Sequence, residues 1–416
     1  MGVIEVLRDT FWPSADDVEA KAAYLPVPGS PGFAAYLQEY SAKSGVAVNT
    51  GTAIQVTAVL ACVKVIAEGV AQVPCKLFFD DENGAKQPAK THPLYPLLYR
   101  FPNPRQTSFE FREQMLYYAL LTGNAFALKM RDPRGRLTEI LPIPPEYVRF
   151  EQQQDLSVRY WVKITDKTAE VEVPESMMWH FRGPSWNGYA GLDMVRIARN
   201  AIGLAIATES FGSEMFANGV RLSGHLEIPT TATPELIAQL KETWSAVHQG
   251  AGNRLQTALL SGGVTFKPHE LKADEAQYIE TRRFLIEEVC RVFRVNPVMV
   301  MHQMNNMAYA SVEQLLIAHV THTLGPWFER FEQSAEAALL TPVELQEGYS
   351  IELVEQVLVR GTAQDRVNVL ATLRQNGAVT GNEMREGMDL ARVNNPILDE
   401  FTPAVNLFGP RSEAVE

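Results

Sequence analysis

The sequence predicts an α+β fold built on long helices, and three stretches of the 416-residue chain carry this prediction. Over 274–293, apolar residues recur with a period close to 3.6 among interleaved charges, which is typical of an amphipathic helix roughly 30 Å long. A second long helix is expected over 311–340. Between 75 and 181, short apolar segments separated by turn residues predict several strands. Helices and strands that occupy separate parts of a chain favour the α+β class.

An uncharged segment connects the two long helices. Pro297 cannot continue the first helix, and the residue before a proline is driven toward extended geometry. No formally charged residue occurs from 295 to 312, a run that includes four methionines and two adjacent asparagines. Ser311 is a suitable N-cap for the second helix, and Gly325-Pro326 predicts a kink in its middle. We therefore expect a loop between a straight helix and a kinked one.

This helix–loop–helix segment resembles the portal proteins of tailed double-stranded-DNA bacteriophages, in their short siphophage-type branch. The matching motifs are 280–284 (ETRRF), 286–289 (IEEV), 292–297 (VFRVNP) and 311–314 (SVEQ). Further similar motifs occur at 102–104 (PNP), 107–111 (TSFEF) and 123–125 (GNA), so that the resemblance extends over roughly residues 50 to 390. No single motif is specific, but the set of them is.

The resemblance implies a portal fold with an α/β wing, long stem helices, a small α/β clip, a kinked long helix and a short helical crown. The implied segments are an N-terminal arm (1–50), the first part of the wing (51–190), a stem helix (191–219), the clip (220–272), a second stem helix (273–295), a tunnel loop (296–310), the kinked helix with a strand returning to the wing (311–361), the crown (362–391) and a C-terminal tail (392–416).

The same resemblance implies which residues lie nearest to DNA. The tunnel-loop residues expected to line the channel are His302, Met304, Asn305, Asn306 and Met307. The stem residues expected to form its wall are Glu280, Arg283 and Glu287. Methionine adapts to changing contacts, and an uncharged loop does not hold phosphates as lysines and arginines do.

The implied function is that of a non-enzymatic ring at one capsid vertex, through which the genome is packaged and ejected. The implied partners are further copies of the chain in a homo-dodecamer, double-stranded DNA without sequence specificity, the terminase large subunit, a head-tail adaptor and the major capsid protein. No cofactor, metal or membrane is expected. The implied location is the virion, after assembly in the host cytoplasm.

Composition agrees with this interpretation. The net charge of −12 argues against an open nucleic-acid-binding surface, which would normally be basic, but not against a channel that DNA must pass without adhering. Cys62, Cys75 and Cys290 stand in apolar contexts without the spacing of a metal site, and we expect buried, reduced thiols. No signal peptide and no uncharged apolar run long enough for a membrane span is apparent.

Several patterns resemble catalytic or binding motifs, but in each case another feature of the sequence argues against that function. The segment 260–263 (LSGG) resembles a transport-ATPase signature, but the chain has no phosphate-binding GxxxxGK[ST] loop. His319 and His322 could form a metal pair, although buried or interfacial histidines are more common. Segment 362–389 could be a helix-turn-helix, but it is not basic. An enzyme with an unrecognised site and a DNA-binding regulator therefore remain the alternatives.

Overall fold

The structure is a computed structural model, and its helices and strands are largely segregated along the chain, as expected of the α+β class. It describes residues 42–81, 86–163, 170–218, 224–227, 238, 265–268, 274–302, 309–355, 363–388 and 390–401. The first half of the described chain contains α1 (Thr50–Gln55), α2 (Thr57–Ala71), β1 (Cys75–Asp80), β2 (Lys86–Pro88), α3 (Leu94–Tyr99), α4 (Ser108–Thr122), β3 (Asn124–Arg131), β4 (Leu137–Ile143), β5 (Val148–Gln152), β6 (Val158–Val162), β7 (Val171–Val173) and β8 (Met178–Arg182).

The second half contains the longer helices. Its elements are α5 (Met194–Ile197), α6 (Arg199–Asn218), β9 (Gly224–Glu227), β10 (Thr265–Pro268), α7 (Asp274–Phe293), α8 (Tyr309–Ala318), α9 (Gly325–Leu339), α10 (Pro342–Gln346), β11 (Tyr349–Leu353), α11 (Ala363–Gln375) and α12 (Gly381–Gly387). The chain divides into two compact units, Met1–Glu352 and Leu353–Glu416.

The core of the larger unit begins with α2 and α4, which pack against each other. Both helices bury one apolar face, as the helical spacing of their apolar residues requires. Arg112 of α4 is buried in this contact and donates hydrogen bonds to the carbonyl of Ala71, at 2.6 Å, and to the hydroxyl of Ser108. Ala71 is the last residue of α2, so the guanidinium satisfies a carbonyl that the helix itself cannot pair.

Two three-stranded antiparallel sheets follow this helix pair. β3 lies between β4 and β8, with Phe126 opposite Ile143 on one side and His180 on the other. The second sheet is the meander β5-β6-β7, and its inward residues join those of β3 and β4 in one hydrophobic cluster. The alternation of buried and exposed residues along β6 is the pattern of a sheet with one solvated face.

Helix α9 covers β8 through aromatic contacts. The rings of Trp179 and Phe331 lie 5.4 Å apart, and Phe181 contacts both Phe331 and Trp327. Lys129 on the neighbouring strand donates a hydrogen bond of 2.9 Å to the carbonyl of Ala338, in the last turn of α9. A cation at a helix C-terminus is favourable, and burial nevertheless lowers the pKa of this lysine to about 8. The long helix is therefore fixed to the sheet at both its middle and its end.

Most of the expected elements are confirmed, and the differences lie in helix breaks and caps. The sequence predicts one helix over 192–217 and one over 52–73, but the first is broken at Ala198 into α5 and α6 and the second at Val56 into α1 and α2. From sequence, Ser108 is the expected cap of α4 and Thr50 or Thr52 that of α1, whereas the caps are Thr107 and Asn49. β11 has the expected bounds and lies beside β1 in the order β11-β1-β2.

The smaller unit is helical in its described part. Thr380 caps α12 in a capping box with Glu383, as the sequence predicted. Asn382, almost fully buried, connects the first turn of α12 to the segment after it, because its side chain bonds both the backbone of Val393 and the carboxylate of Asp399.

Candidate functional site

The two long helices α6 and α7 pack side by side along a seam made by small residues and one tyrosine. The hydroxyl of Tyr278 on α7 donates to the carbonyl of Thr208 on α6 at 3.3 Å. Gly212 of α6 leaves the room that the tyrosine hydroxyl occupies. Phe211 lies beside the same ring, with 6.4 Å between ring centroids, and is itself 59% exposed. A shallow groove of about 340 Å³ follows this seam.

The outer face of α7 carries both the predicted wall residues and exposed apolar side chains. Glu280 and Arg283 are exposed, and Glu287 is partly buried. Ile279 and Phe284 on the same helix are 55% and 51% exposed. This helix therefore offers apolar surface as well as charge.

A small charged network lies at the C-terminal end of α7. Arg291 contacts Glu287, at 3.6 Å, and Glu288, and its guanidinium lies over the ring of Phe284. Glu287 and Glu288 precede Arg291 by four and three residues, a spacing that brings such side chains together on a helix. Both carboxylates are therefore ion-paired, which is a structural arrangement rather than a catalytic pair.

The end of α7 is fixed against α2. Leu285, Val289, Cys290 and Phe293 are buried, and the sulfur atoms of Cys290 and Cys62 lie 3.8 Å apart. The helix ends where Arg294 takes a left-handed backbone conformation with φ of 56°. The loop therefore starts from a helix end that is packed against α2.

The loop begins with a short, well-ordered turn. Asn296 accepts a hydrogen bond from the backbone of Val298 and so caps a 3₁₀ turn over Pro297–Val300. Met301 follows with φ of 60° and a side chain that is 91% exposed. The backbone N–H of His302 then donates to the carbonyl of Pro297. This geometry turns the chain back toward α7.

The predicted loop residues divide into one that the structure describes and four that it does not. His302 is only 17% exposed in its side chain, and its Nε2 lies 3.9 Å from the carboxylate of Glu287. Met304, Asn305, Asn306 and Met307 lie outside the described residues. The candidate residues chosen from sequence do not include Met301, although it is the most exposed residue at the start of the loop. Its place in the methionine-rich run is the sequence signal that could have indicated it.

The helix after the loop is interrupted by a π-helical turn just before Gly325-Pro326, and not at that pair itself. It begins at Tyr309, before the expected Ser311, and changes to π-helical geometry over His319–Leu324 before α9 begins. The N–H of Gly325 bonds the carbonyl of Val320, five residues back. Proline at 326 lacks the N–H that regular helical pairing needs, and a π turn immediately before it accommodates that loss. Such turns are frequent at functional sites.

The π turn is packed firmly against its neighbours. Leu324 lies directly over Gly69 of α2, where even a Cβ atom would come within 2.9 Å of it. The hydroxyl of Thr323 donates to the carbonyl of Arg294, which ties the turn to the end of α7. His319 is buried, and desolvation lowers its pKa. These contacts connect the π turn to α2 and to the end of α7, where the loop begins.

A cavity of about 530 Å³ lies where these parts meet. Its wall includes Cys290, Arg294, Asn296, His319 and His322. The two histidines considered as a metal pair thus lie on this wall, and among the described residues no group of three His, Cys, Asp or Glu side chains is placed to hold a metal ion. Within the described residues, no helix combines the length and hydropathy needed to span a membrane.

Comparison with known proteins identifies relatives along nearly the whole chain. The sequence model of the family described as "Phage portal protein" matches residues 57–389. The "Probable portal protein" of Streptomyces phage phiC31 is 26% identical over 407 residues, which cover 95% of this chain and 86% of the relative.

Solved structures share the fold at lower identity. An HK97-family phage portal protein from Corynebacterium diphtheriae has a TM-score of 0.55 at 18% identity, with 74% of this chain and 95% of that chain covered. A chain from the neck of a native gene transfer agent particle, computed with C12 symmetry, has a TM-score of 0.54 at 19% identity, with 83% and 94% covered. Because the family match spans most of the sequence, and because the α+β fold is that of a solved portal protein, the chain belongs to the phage portal protein family.

Proposed function

We propose that copies of this chain form a dodecameric ring at one capsid vertex, and that the ring is the channel through which double-stranded DNA enters and leaves the capsid. Membership of the portal family supports this proposal, as does the similarity to a neck chain from a particle computed with C12 symmetry. The observation that carries it is the apolar surface left exposed on the paired helices α6 and α7.

A second copy of this chain is the occupant that this surface fits best. A cyclic ring joins two different faces of each subunit, so each copy needs two complementary patches. Leu204 and Phe211 are exposed on α6, and Ile279 and Phe284 are exposed on α7. The seam between the helices also carries the groove of about 340 Å³, a shape that can accept a side chain from a neighbour.

The channel itself is assigned from the family resemblance and the charges. Glu280, Arg283 and Glu287 form its wall, and the loop from His302 through Met304, Asn305, Asn306 and Met307 forms its narrowest part. The overall charge of −12 opposes tight adhesion of phosphates to the protein. Met301 joins this set because its side chain is 91% exposed at the start of the loop.

The remaining partners are assigned to the segments of the chain that the family resemblance implies. The segment 220–272, within which β9 and β10 form an antiparallel pair, acts as the clip that receives the terminase large subunit during packaging and the head-tail adaptor afterwards. The wing of residues 51–190 faces the major capsid protein. The subunit is made in the host cytoplasm and resides in the virion. Nucleotide hydrolysis belongs to the terminase, and the ring supplies the channel without an enzymatic step of its own.

The ring is tested by electron microscopy and analytical ultracentrifugation of the purified chain. We expect closed rings with a central hole. The double variant Ile279→Asp, Phe284→Asp should remain folded but fail to form rings, because two charges would be desolvated at each contact. The control is Leu156→Asp, which replaces an apolar residue that is even more exposed, at 74%, in the turn between β5 and β6.

Three results would overturn parts of the proposal. A chain that stays monomeric at high concentration and is absent from rings in particles contradicts the ring. Turnover of ATP by the isolated chain, lost when one of its own residues is replaced, contradicts the non-enzymatic role and favours an enzyme. Sequence-specific, salt-sensitive binding of duplex DNA by a monomer favours a regulator instead.

A further inference from the structure

Two buried thiols join the base of the loop to the wing. Cys62 on α2 and Cys290 on α7 have sulfur atoms 3.8 Å apart, although 228 positions separate them in the chain. Both are reduced in the structure, and each is almost wholly buried. We propose that this pair is an oxidative modification site, at which a disulfide forms and fixes the end of α7 to α2.

The geometry requires little movement for the bond to form. A disulfide places its sulfurs at about 2.05 Å, so the two atoms must approach each other by less than 2 Å from their present separation. α2 and α7 are already packed together, with Val289 and Phe293 of α7 buried near Cys290. The packing of the two helices therefore already holds the sulfurs close to bonding distance.

The surroundings also decide which sulfur reacts first. The two thiols share one hydrogen bond in which either sulfur can donate, so a thiolate formed on one is stabilised by the S–H of the other. Cys290 forms part of the wall of the 530 Å³ cavity, whereas Cys62 does not. A small reagent therefore reaches Cys290 first.

The oxidant is a low-molecular-weight disulfide. The Cys290 thiolate attacks one of its sulfurs, forms a mixed disulfide and releases one small thiolate, which takes up a proton. Cys62 then loses its proton to solvent and attacks the sulfur of Cys290, so that the second small thiolate leaves. Two electrons pass from the protein to the reagent, which ends as two thiols, and the protein holds one disulfide.

The bond would have a specific mechanical effect. Cys290 lies in the last turn of α7, and the end of that helix is tied through Arg294 to the π turn. A covalent link to α2 removes the freedom of this end to shift against the wing. The reducing cytosol keeps the thiols free, and an oxidising environment outside the cell favours the linked form.

The test treats the purified folded chain with 2-hydroxyethyl disulfide, removes the reagent and counts thiols in denaturant. We expect the count to fall from three to one, the intact mass to fall by two hydrogen atoms, and a peptide containing Cys62 to be joined to one containing Cys290. Cys75 is the internal control: it is buried, and burial raises its pKa to about 12, so it should stay free. The linked chain should also show a higher midpoint of thermal unfolding than the reduced chain.

Variants separate this bond from non-specific oxidation. Cys75→Ser should still lose two thiols, whereas Cys62→Ser and Cys290→Ser should form no internal link. Three thiols remaining in the folded wild type, under conditions that oxidise the unfolded chain, would overturn the proposal. A disulfide that includes Cys75, or one that joins two chains, would also overturn the proposal. The thiol count of the wild type is decisive by itself, so the test does not depend on every cysteine variant being folded.

Discussion

Gly212 on α6 lies directly beneath the hydroxyl of Tyr278 on α7, so closely that a Cβ atom at position 212 would overlap the tyrosine oxygen. That oxygen is held in place by its hydrogen bond to the carbonyl of Thr208. The distance between the two long helices is therefore set at this point by the absence of a side chain. Their spacing matters for the proposed ring, because both helices carry exposed apolar residues.

Gly212→Ala should reduce stability by about 1 to 3 kcal/mol through overpacking, even though alanine is intrinsically better than glycine in a helix. Urea unfolding measures this loss, and ring yield measures its effect on assembly. Adding Tyr278→Phe to Gly212→Ala should restore part of the stability. Additive losses in that double variant would contradict the assigned contact.

Arg112→Met should cost about 3 kcal/mol, because it leaves the carbonyl of Ala71 buried without the donor that now lies 2.6 Å from it. Methionine keeps most of the length and volume of the side chain, so the loss reports the hydrogen bonds rather than a cavity. The midpoint of urea unfolding is the measurement.

Arg134→Ala provides the comparison for that loss. Arg134 lies in the exposed turn between β3 and β4, and only its backbone N–H bonds Asp132. Its replacement should change stability by no more than about 0.5 kcal/mol. If the two arginine variants lost the same free energy of unfolding, the buried hydrogen bonds of Arg112 would not contribute measurably to stability.

Acid should destabilise the sheet β4-β3-β8 through His180. Its ring is buried against Phe126, accepts at Nδ1 from the hydroxyl of Tyr160 and donates at Nε2 to Asn124 Oδ1, which already accepts from Gly191. Burial, with a smaller contribution from the charge of Arg182, lowers the pKa of His180 to about 3.

The sign of the pH effect follows from that shift. The unfolded chain binds a proton near pH 6.5 and the folded chain only near pH 3, so the contribution of His180 is complete above 6.5 and is lost as the pH falls toward 3. The loss is at most about 1.4 kcal/mol for each pH unit. Between pH 6.5 and 5, the wild type should therefore lose about 2 kcal/mol more than His180→Gln. Tyr160→Phe keeps the imidazole and should keep the pH dependence. Parallel losses in wild type and His180→Gln would exclude this histidine as the cause.

Sequence reasoning located most elements because their signals are local. The end of α7 is dictated by Pro297, and the cap of α12 by Thr380 with Glu383 three residues later. It failed where two adjacent residues could perform the same role. Thr107 and Ser108 are both good N-caps, and the choice is made by Glu110, whose carboxylate accepts from the backbone of Thr107 at 2.7 Å.

The parts of the candidate site that could not be predicted depend on contacts distant in sequence. Proline at 326 indicates an irregular helix, but only the packing of Leu324 on Gly69 and the bond from Thr323 to Arg294 place the π turn at His319–Leu324. The exposure of Met301 follows from a left-handed backbone conformation that a methionine rarely adopts, so no propensity would have indicated it.

The last prediction concerns the loop residues proposed to lie nearest to DNA. Replacing Asn305 and Asn306 with lysines should leave ring assembly intact but slow DNA movement through the ring, because each new cation would form contacts with phosphates. The impairment should weaken as salt concentration rises, since added ions compete for the same phosphates. Packaging and ejection assays at two salt concentrations measure both effects. The matched control is the double variant Asn305→Gln, Asn306→Gln, which lengthens both side chains without charge and should transport DNA normally. Normal transport by the lysine variant through intact rings would rule out close contact between these residues and DNA, whereas loss of rings would instead favour a loop buried between subunits.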